Sequence, residues 1–226
     1  MKYSIEGGAL PVVRIFLETG ESIISESGER AWARGPVDTE TTSEGGAKKA
    51  IGRIFSGESL FMSRYTAQGS AEIGFAAGFP GRILSVELGE EQSIIAQKGA
   101  FMCATYGVEL SMYFQKKLGA GFLGGDGFIM QKITGPGMVF LEIDGYCVEY
   151  DLLPGERLVM DTGVLAVMEE SCNIDIEMVK GAKNIFLGGE GLFDTIVTGP
   201  GKVYLQSMTV EKLAKLIIPF VPQKSN

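Results

Sequence analysis

Residues 122–141 read FLGGDGFIMQKITGPGMVFL, and residues 186–205 read FLGGEGLFDTIVTGPGKVYL. The two segments lie 64 positions apart and share 11 of their 20 residues, whereas a random alignment would give about one identity. A segment that recurs at a fixed interval is typical of chains built from repeated structural units. The sequence therefore predicts that a module has been duplicated within this chain.

A third and more divergent copy precedes these two. Residues 20–28 resemble residues 155–163, since both begin with Gly-Glu and end with Gly after an apolar run. Residues 89–99 contain the same phrase with two extra residues, and residues 55–60 stand where the other copies have Leu-Gly-Gly, an acid and Gly. The predicted domains are three β repeats, residues 1–78, 79–143 and 144–208, and a C-terminal helix and tail, residues 209–226.

Hydrophobic periodicity predicts an all-β fold. Tyr146, Val148 and Tyr150 alternate with Cys147 and Glu149, which is the period-two pattern of a β-strand. Glycine accounts for 32 of 226 residues, against a usual share of about 7%. These glycines separate short apolar runs, as turn residues do between strands.

Local turn and cap signals refine this prediction. In residues 135–137 and 199–201, both Gly-Pro-Gly, proline presets φ and the second glycine supplies positive φ, which predicts type II turns between strands. Thr209 precedes apolar residues at helical spacing, and Pro219 follows them. We expect one short C-terminal helix there.

The repeats predict the architecture as well as the class. We expect three tandem β-sandwich-like repeats with pseudo-threefold symmetry, followed by the short helix. A closed arrangement is favoured over a row because closure leaves fewer exposed sheet edges.

Composition limits the classes of function. The net charge is −8, so the field of the protein repels nucleic acid and anionic membranes. The chain has no histidine, which excludes Ser-His-Asp and Cys-His catalysis and sites with three histidine ligands. No apolar run reaches the roughly 20 residues of a membrane helix, and the first residues lack a signal-peptide core. We expect a cytoplasmic protein without a membrane span.

The cysteines and the single tryptophan are interpreted as structural residues. Cys103, Cys147 and Cys172 are an odd number and lie far apart, so buried free thiols are expected rather than a disulfide framework. Trp32 stands close to Arg30 and Arg34. It could mark an interface, but packing in the core or against a turn is the favoured interpretation.

Three acids occupy equivalent places in the repeats: Glu58, Asp126 and Glu190. If the repeats surround an axis, these carboxylates could converge and bind a hard divalent cation such as Ca²⁺ or Mg²⁺ through oxygen. The favoured alternative is that each acid serves a solvated turn. The same alternative applies to Glu21 and its counterparts after the other turn glycines, Glu90 and Glu156.

Basic residues precede the glycine-acid turn in every repeat, and they are Lys48, Lys49, Arg53, Lys116, Lys117, Lys180 and Lys183. With nearby aromatic residues they could form an anion surface or a site for single-stranded RNA. Nucleic-acid binding is nevertheless not expected, because scattered cations in an acidic protein are more often solvated loop charges.

No cofactor is expected. Residues 119–124 match the dinucleotide pattern G-x-G-x-x-G literally. That pattern works only between a buried strand and the N-terminus of a helix. Here more glycines and a β-like run follow, so loop usage is the better interpretation.

Several segments together resemble a known family. These are the opening phrase IEGGALPVVRIFL at residues 5–17, the Gly-Glu phrases, Leu-Gly-Gly-acid-Gly and Thr-Gly-Pro-Gly. They are similar to a widespread microbial family of unknown function whose eukaryotic relatives carry the name "altered inheritance of mitochondria". The resemblance implies a fold like that of the tryptophan RNA-binding attenuation protein, with three β-sandwich-like domains around a pseudo-threefold axis. It implies no catalytic residues, and the chain has no match to a transit peptide.

The sequence thus favours a non-enzymatic binding or scaffold protein that self-associates. Two alternatives stay open: a cation-dependent protein or enzyme that uses the repeated acids, and single-stranded RNA binding through the repeated lysine loops. The small-molecule ligand is unknown.

Overall fold

The computed structural model describes residues 1–43, 61–116, 128–178 and 193–221. These residues form nineteen β-strands, a C-terminal α-helix and two short 3₁₀ helices. The all-β fold with a short helix at the C-terminal end is confirmed.

The strands in chain order are β1 (Lys2–Glu6), β2 (Val12–Leu17), β3 (Ser22–Glu26), β4 (Arg30–Arg34), β5 (Val37–Ser43), β6 (Phe61–Ala67), β7 (Ala71–Ala76), β8 (Gly81–Leu88), β9 (Ser93–Gln97), β10 (Phe101–Thr105), β11 (Glu109–Lys116), β12 (Phe128–Thr134), β13 (Gly137–Asp144), β14 (Cys147–Leu152), β15 (Arg157–Asp161), β16 (Leu165–Glu169), β17 (Asn173–Met178), β18 (Phe193–Thr198) and β19 (Gly201–Gln206). The helix is α1 (Val210–Ile217), and the 3₁₀ helices are Lys98–Ala100 and Ile218–Phe220.

These strands form four antiparallel sheets. Sheet A has the order β1-β2-β7-β4, sheet B β5-β6-β3-β10-β13-β8, sheet C β11-β12-β9-β16-β19-β14 and sheet D β15-β18-β17. Sheets B and C therefore each join three strands from an earlier part of the chain to three strands from a later part.

One pairing scheme recurs along the chain from β2 onward. In each run of six strands the first and the third pair with the sixth, as β8 and β10 do with β13. The second and the fourth pair with the fifth, as β9 and β11 do with β12. The same pairs occur in the runs β2–β7 and β14–β19. The predicted domain boundaries and the threefold axis stay predictions.

Three apolar cores lie between successive sheets. The first joins sheets A and B through side chains such as Phe75 and Phe140. The second joins sheets B and C, for example through Leu141 and Ile133. The third joins sheets C and D through a set that includes Val197. The four sheets thus pack one on the next, because each internal sheet buries apolar side chains on both faces.

Two strands lack the neighbour that their counterparts have. Among the described residues, β4 and β15 each pair with a single neighbour, β7 and β18, and form edges of sheets A and D. The closed arrangement of the repeats stays a prediction.

The alignment of the Gly-Glu turns needs a correction. The Glu21 carboxylate accepts a hydrogen bond from the backbone N–H of Glu18, and Glu156 accepts one from Leu153. In the middle copy Gln92, not Glu90, makes this contact, with Gly89. Gln92 directly precedes β9, as Glu21 precedes β3, so the middle copy has no two-residue insertion.

Backbone angles confirm the corrected alignment. Glu91 has a φ of 61°, at the place where Gly20 has 88° and Gly155 has 78°. Each turn therefore needs a left-handed residue just before its capping side chain, which glycine supplies at lowest cost.

The predicted type II turns are wrong. The bonds before Pro136 and Pro200 are cis, and φ is 147° at Gly137 and 138° at Gly201, away from the roughly 80° of a type II turn. Each of these glycines lies against a side chain of the third strand in its run, Thr105 or Glu169. That side chain accepts the N–H of the residue after the glycine, Met138 or Lys202, at 2.9 and 3.0 Å.

The C-terminal helix begins as predicted. The Thr209 side chain accepts a hydrogen bond from the backbone N–H of Lys212, which satisfies one of the free donors at the start of α1. Pro219 follows the helix within Ile218–Phe220.

Candidate functional site

Most of the residues singled out as candidate ligands lie outside the described part of the chain. They are Glu58, Asp126 and Glu190, and the basic residues Lys48, Lys49, Arg53, Lys117, Lys180 and Lys183. Lys116 ends β11, where its backbone pairs with Phe128. The cation and RNA hypotheses therefore stay predictions.

The described acids do not assemble a metal centre. Within residues 1–43, 61–116, 128–178 and 193–221, no group of three or more histidine, cysteine, aspartate or glutamate residues could hold a metal ion. Glu21 and Glu156 instead cap their turns, as expected for acids beside turn glycines. The hydrogen bond from the Glu18 backbone and the contact with the N-terminal ammonium lower the pKa of Glu21.

A cleft of about 270 Å³ opens near the N-terminus, between β3, β6 and the end of β10. The N-terminal ammonium lies 2.9 Å from the Glu21 carboxylate. The Arg64 guanidinium donates to the Ser22 hydroxyl at 3.3 Å and lies 4.0 Å from the centre of the Tyr106 ring. The N-terminal ammonium and the Arg64 guanidinium thus both have protein partners in this cleft, as expected of a contact between strands rather than of a ligand site.

Exposed apolar side chains are concentrated in the C-terminal segment, residues 210–221. Phe220 is 86% exposed and Leu216 is 62% exposed. Val210, Ile217, Ile218 and Val221 are exposed as well. Contiguous exposed apolar surface is typical of protein interaction sites.

The second exposed region consists of β4 and β15, which form one edge of sheet A and one edge of sheet D. All five residues of β4 are exposed, whereas β10 and β16 bury four of their five residues at the same place in the pairing scheme. In β15 only Met160 is buried, whereas β3 and β9 each bury three residues. The edges are thus exposed where their counterparts are covered by another strand.

Side-chain contacts hold Trp32 in place on the β4 edge. Its indole lies over Gly74, where no Cβ would fit, and its Nε1 donates to the Glu72 carboxylate at 3.3 Å. Arg14 donates to the same carboxylate at 2.8 and 3.0 Å and holds the pKa of Glu72 below its usual value. Trp32 remains 38% exposed, so it does not lie in the core. It packs instead with one face of its ring on Gly74 of the neighbouring strand β7.

Sequence reasoning missed the two edges, although a signal was present. The third strand of each run reads Phe-Met-Cys-Ala-Thr in β10 and Leu-Ala-Val-Met-Glu in β16, but Arg-Ala-Trp-Ala-Arg in β4. Charged residues at both ends of a short strand are typical of a sheet edge. This comparison needed the strand alignment, which only the pairing scheme supplied.

Comparison with known proteins agrees with the resemblance noted from the motifs. The chain is 28% identical over 235 residues to the uncharacterized protein M6_Spy0233 of Streptococcus pyogenes serotype M6, covering all of this chain and 93% of the relative. It is similar to the X-ray crystal structure of protein SPYM3_0169 from Streptococcus pyogenes. That similarity has a TM-score of 0.79 and 25% identity, and it covers 97% of this chain and 99% of the other.

The expected absence of a membrane-spanning helix agrees with the described helices, since none of them is long and apolar enough to cross a bilayer. The similarity to the attenuation protein's fold stays a prediction. Residues 3–208 match the family described as Mitochondrial biogenesis AIM24, and the chain belongs to that family.

Proposed function

We propose that the protein is a non-enzymatic binding or scaffold protein that self-associates. The observation that carries this proposal is the exposed apolar surface on its two edge strands and on residues 210–221. The three apolar cores pack the sheets that carry the two edge strands against one another.

The chemistry of the side chains supports the non-enzymatic part of the proposal. The chain has no histidine, so its general bases and nucleophiles would have to come from other groups. Burial raises the pKa of Cys103 well above its usual value and also raises those of Cys147 and Cys172. Thiols of high pKa are poor nucleophiles at neutral pH, because the thiolate is the reactive form.

Burial also supports the interpretation of the cysteines as structural residues. Cys103 and Cys172 are buried free thiols, as predicted, and Cys147 is half-buried. A free thiol in an apolar environment behaves as a small hydrophobic residue. A cytoplasmic location, proposed from the sequence, fits free thiols, since such thiols persist in reducing compartments.

Sedimentation velocity over a range of micromolar concentrations tests the proposal. We expect a sedimentation coefficient that rises with concentration, or a stable assembly larger than one chain. A single monomer species at every concentration would contradict the self-association. Catalytic turnover by the purified chain, lost on substitution of a described surface residue, would contradict the non-enzymatic part.

A further inference from the structure

The strand pairs that join successive runs provide a template for a contact between chains. The second strand of one run pairs with the third strand of the next: β3 with β10, and β9 with β16. By the same scheme, β15 should have a third strand as partner and β4 should have a second strand. These are the two members of the series that lack this pairing among the described residues.

The register of the pairs β3–β10 and β9–β16 predicts the register of a pair between β15 and β4. Ala104 lies opposite Ile24 in the first pair, and Met168 lies opposite Ile95 in the second. Each third strand has an irregularity in its pairing with the sixth strand of the same run. Ala33, Ala104 and Met168 are equivalent because each is the second paired residue after that irregularity. Val159 holds the place of Ile24 and Ile95 within β15, since each is the third residue of its strand.

We propose that β15 of one copy pairs antiparallel with β4 of a second copy, with Ala33 opposite Val159. Trp32 then lies opposite Met160, and Arg34 opposite Leu158. This inference rests on the proposed self-association and identifies its partner and its interface: a second copy of this chain, joined through two different edges.

The exposure of β4 and β15 supports a second copy of this chain as the partner. Val159 is 56% exposed, whereas Ile24 and Ile95, at the same place in paired strands, are 2% and 0% exposed. A strand added at this edge would shield one side of Val159 and pair with the outward backbone donors and acceptors of both strands. It would also place the Met160 thioether beside the Trp32 indole, a favourable contact of sulfur with an aromatic ring.

The geometry of the contact limits the assembly. Because the two edges differ, each copy uses β15 toward one neighbour and β4 toward the other. Such a head-to-tail contact closes into a ring if the rotation between copies permits it, and otherwise continues as a filament. Either assembly would extend sheet D of one copy into sheet A of the next, as sheets B and C already extend across successive runs.

Cysteine cross-linking between separate chains tests the register. Two variants, Ala33→Cys and Val159→Cys, are purified separately with tags of different mass, mixed and oxidised. Opposite residues of an antiparallel pair have Cβ atoms about 4.5–5.5 Å apart, close to what a disulfide requires. We expect a disulfide between the two differently tagged chains. Because each chain carries one new thiol, a bond between positions 33 and 159 must be intermolecular.

A matched control and a blank accompany this experiment. The control mixes Ala33→Cys with Glu177→Cys, which lies on β17, the opposite edge of sheet D. The blank is the wild-type chain, which carries the three native cysteines and is oxidised in the same way. We expect neither to give the cross-linked pair.

Charge substitution provides the second measurement. Val159→Glu places a carboxylate at the centre of the contact, so we expect sedimentation to show association weakened by about tenfold or more. Circular dichroism and thermal unfolding check that the variant is folded, as expected for an exposed position. The control is Met178→Glu, which places the same charge on an exposed apolar residue of β17, the opposite edge of sheet D, and should associate normally. The double variant Leu216→Ser and Phe220→Ser tests residues 210–221 as the alternative interface.

The outcomes separate this inference from the function on which it rests. Monomers at every concentration would overturn both. An assembly that persists in Val159→Glu and gives no cross-link between positions 33 and 159 would overturn the edge pairing and leave self-association standing. Loss of association in the Leu216→Ser and Phe220→Ser double variant alone would move the interface to residues 210–221 and likewise overturn the pairing.

Discussion

Strands β16 and β4 hold the same place in the pairing scheme and have opposite environments. β16 lies between β9 and β19, and four of its five residues are buried. Among the residues that the structure describes, β4 pairs with β7 alone, and all of its residues are exposed. The comparison teaches that a strand's position in its run of six sets its partner within that run, whereas its burial depends on whether strands of another run pack beside it.

Truncation of the first residue of β16 and of β4 should give the largest difference in the free energy of unfolding. Leu165 is 0% exposed, so Leu165→Ala should lower the free energy of unfolding by about 3 kcal/mol through lost burial and a cavity. Arg30 has the same place in β4 and is exposed, so Arg30→Ala should change the free energy of unfolding by less than about 0.5 kcal/mol. Urea unfolding measures both. Equal losses would show that the two strands are not in different environments in solution.

Buried polar residues give the next comparison. Ser63, Gln131 and Thr195 hold one place in the fifth strands of the three runs, and all are buried. The Ser63 hydroxyl has partners in Ser27 and Thr41. Neither the Gln131 amide nor the Thr195 hydroxyl has a hydrogen-bond partner among the described residues.

We therefore expect opposite effects at this shared place. Gln131→Met should raise the free energy of unfolding by about 2 kcal/mol, because it removes a buried amide without partners and preserves volume. Thr195→Val should act in the same direction. Ser63→Ala should lower the stability by about 1 kcal/mol, since it removes a satisfied group. Denaturant unfolding of the three variants checks the signs, and destabilisation by Gln131→Met would reveal a partner for the amide.

A third comparison concerns the ends of β13 and β19. β13 carries Glu142 and Asp144, whereas β19 ends at Gln206, the counterpart of Glu142. Burial, and then the charge of Glu142, raise the pKa of Asp144 to about 6. The folded chain therefore binds this proton more tightly than the unfolded chain, whose aspartates have a pKa near ~3.9.

Because the pKa of Asp144 is raised in the folded chain, the free energy of unfolding falls as the pH rises. The stability contributed by protonated Asp144 is fully present below about pH 4 and is lost as the pH rises through about 6. Asp144→Asn should thus match the wild type near pH 4 and exceed it by about 1 kcal/mol at pH 7, after allowance for solvent screening. Urea unfolding at several pH values measures the difference, and Glu149→Gln is the exposed control. A difference independent of pH would contradict the assignment.

The smallest expected effect lies at the left-handed turn residues. Glu91, with a φ of 61°, stands where Gly20 and Gly155 stand in the other runs. Glu91→Gly should stabilise the folded chain by about 0.5 kcal/mol, the strain relieved less the added entropy of the unfolded chain. The neighbouring Glu90→Gly lacks the strain to relieve and should destabilise slightly. Thermal unfolding of the two variants side by side resolves the sign.

Sequence reasoning succeeded for strand alternation and for the start of the helix, and it failed for the type and alignment of turns and for pairing between distant strands. Alternating residues such as Tyr146 to Tyr150 predicted strands correctly, and Thr209 marked the start of α1. The middle turn was misaligned because glycine identity outweighed spacing, which placed Gly89 opposite Gly20. Glutamate rarely adopts positive φ, so Glu91 could not be recognised as the equivalent residue before its backbone angle was known.

The edge strands β4 and β15 could not be recognised from the sequence alone either. Residues 30–34 and 157–161 taken alone do not show whether a strand lies beside them, because backbone hydrogen bonds between strands carry little sequence information. The arginines of β4 indicated an edge only after Arg30 and Arg34 had been aligned with the ends of β10 and β16. Trp32 looked like a core residue since its partner, Gly74, is distant in the chain.

The amino-acid sequence by itself determined the β class and the alternation of faces within each strand, because side-chain periodicity acts over a few residues. Only the tertiary structure decided that second and third strands of successive runs pair, which sheets share a core, and that β4 and β15 remain edges. Those choices depend on contacts between residues far apart in the chain, where hydrogen bonding and burial of whole sheets outweigh any local preference.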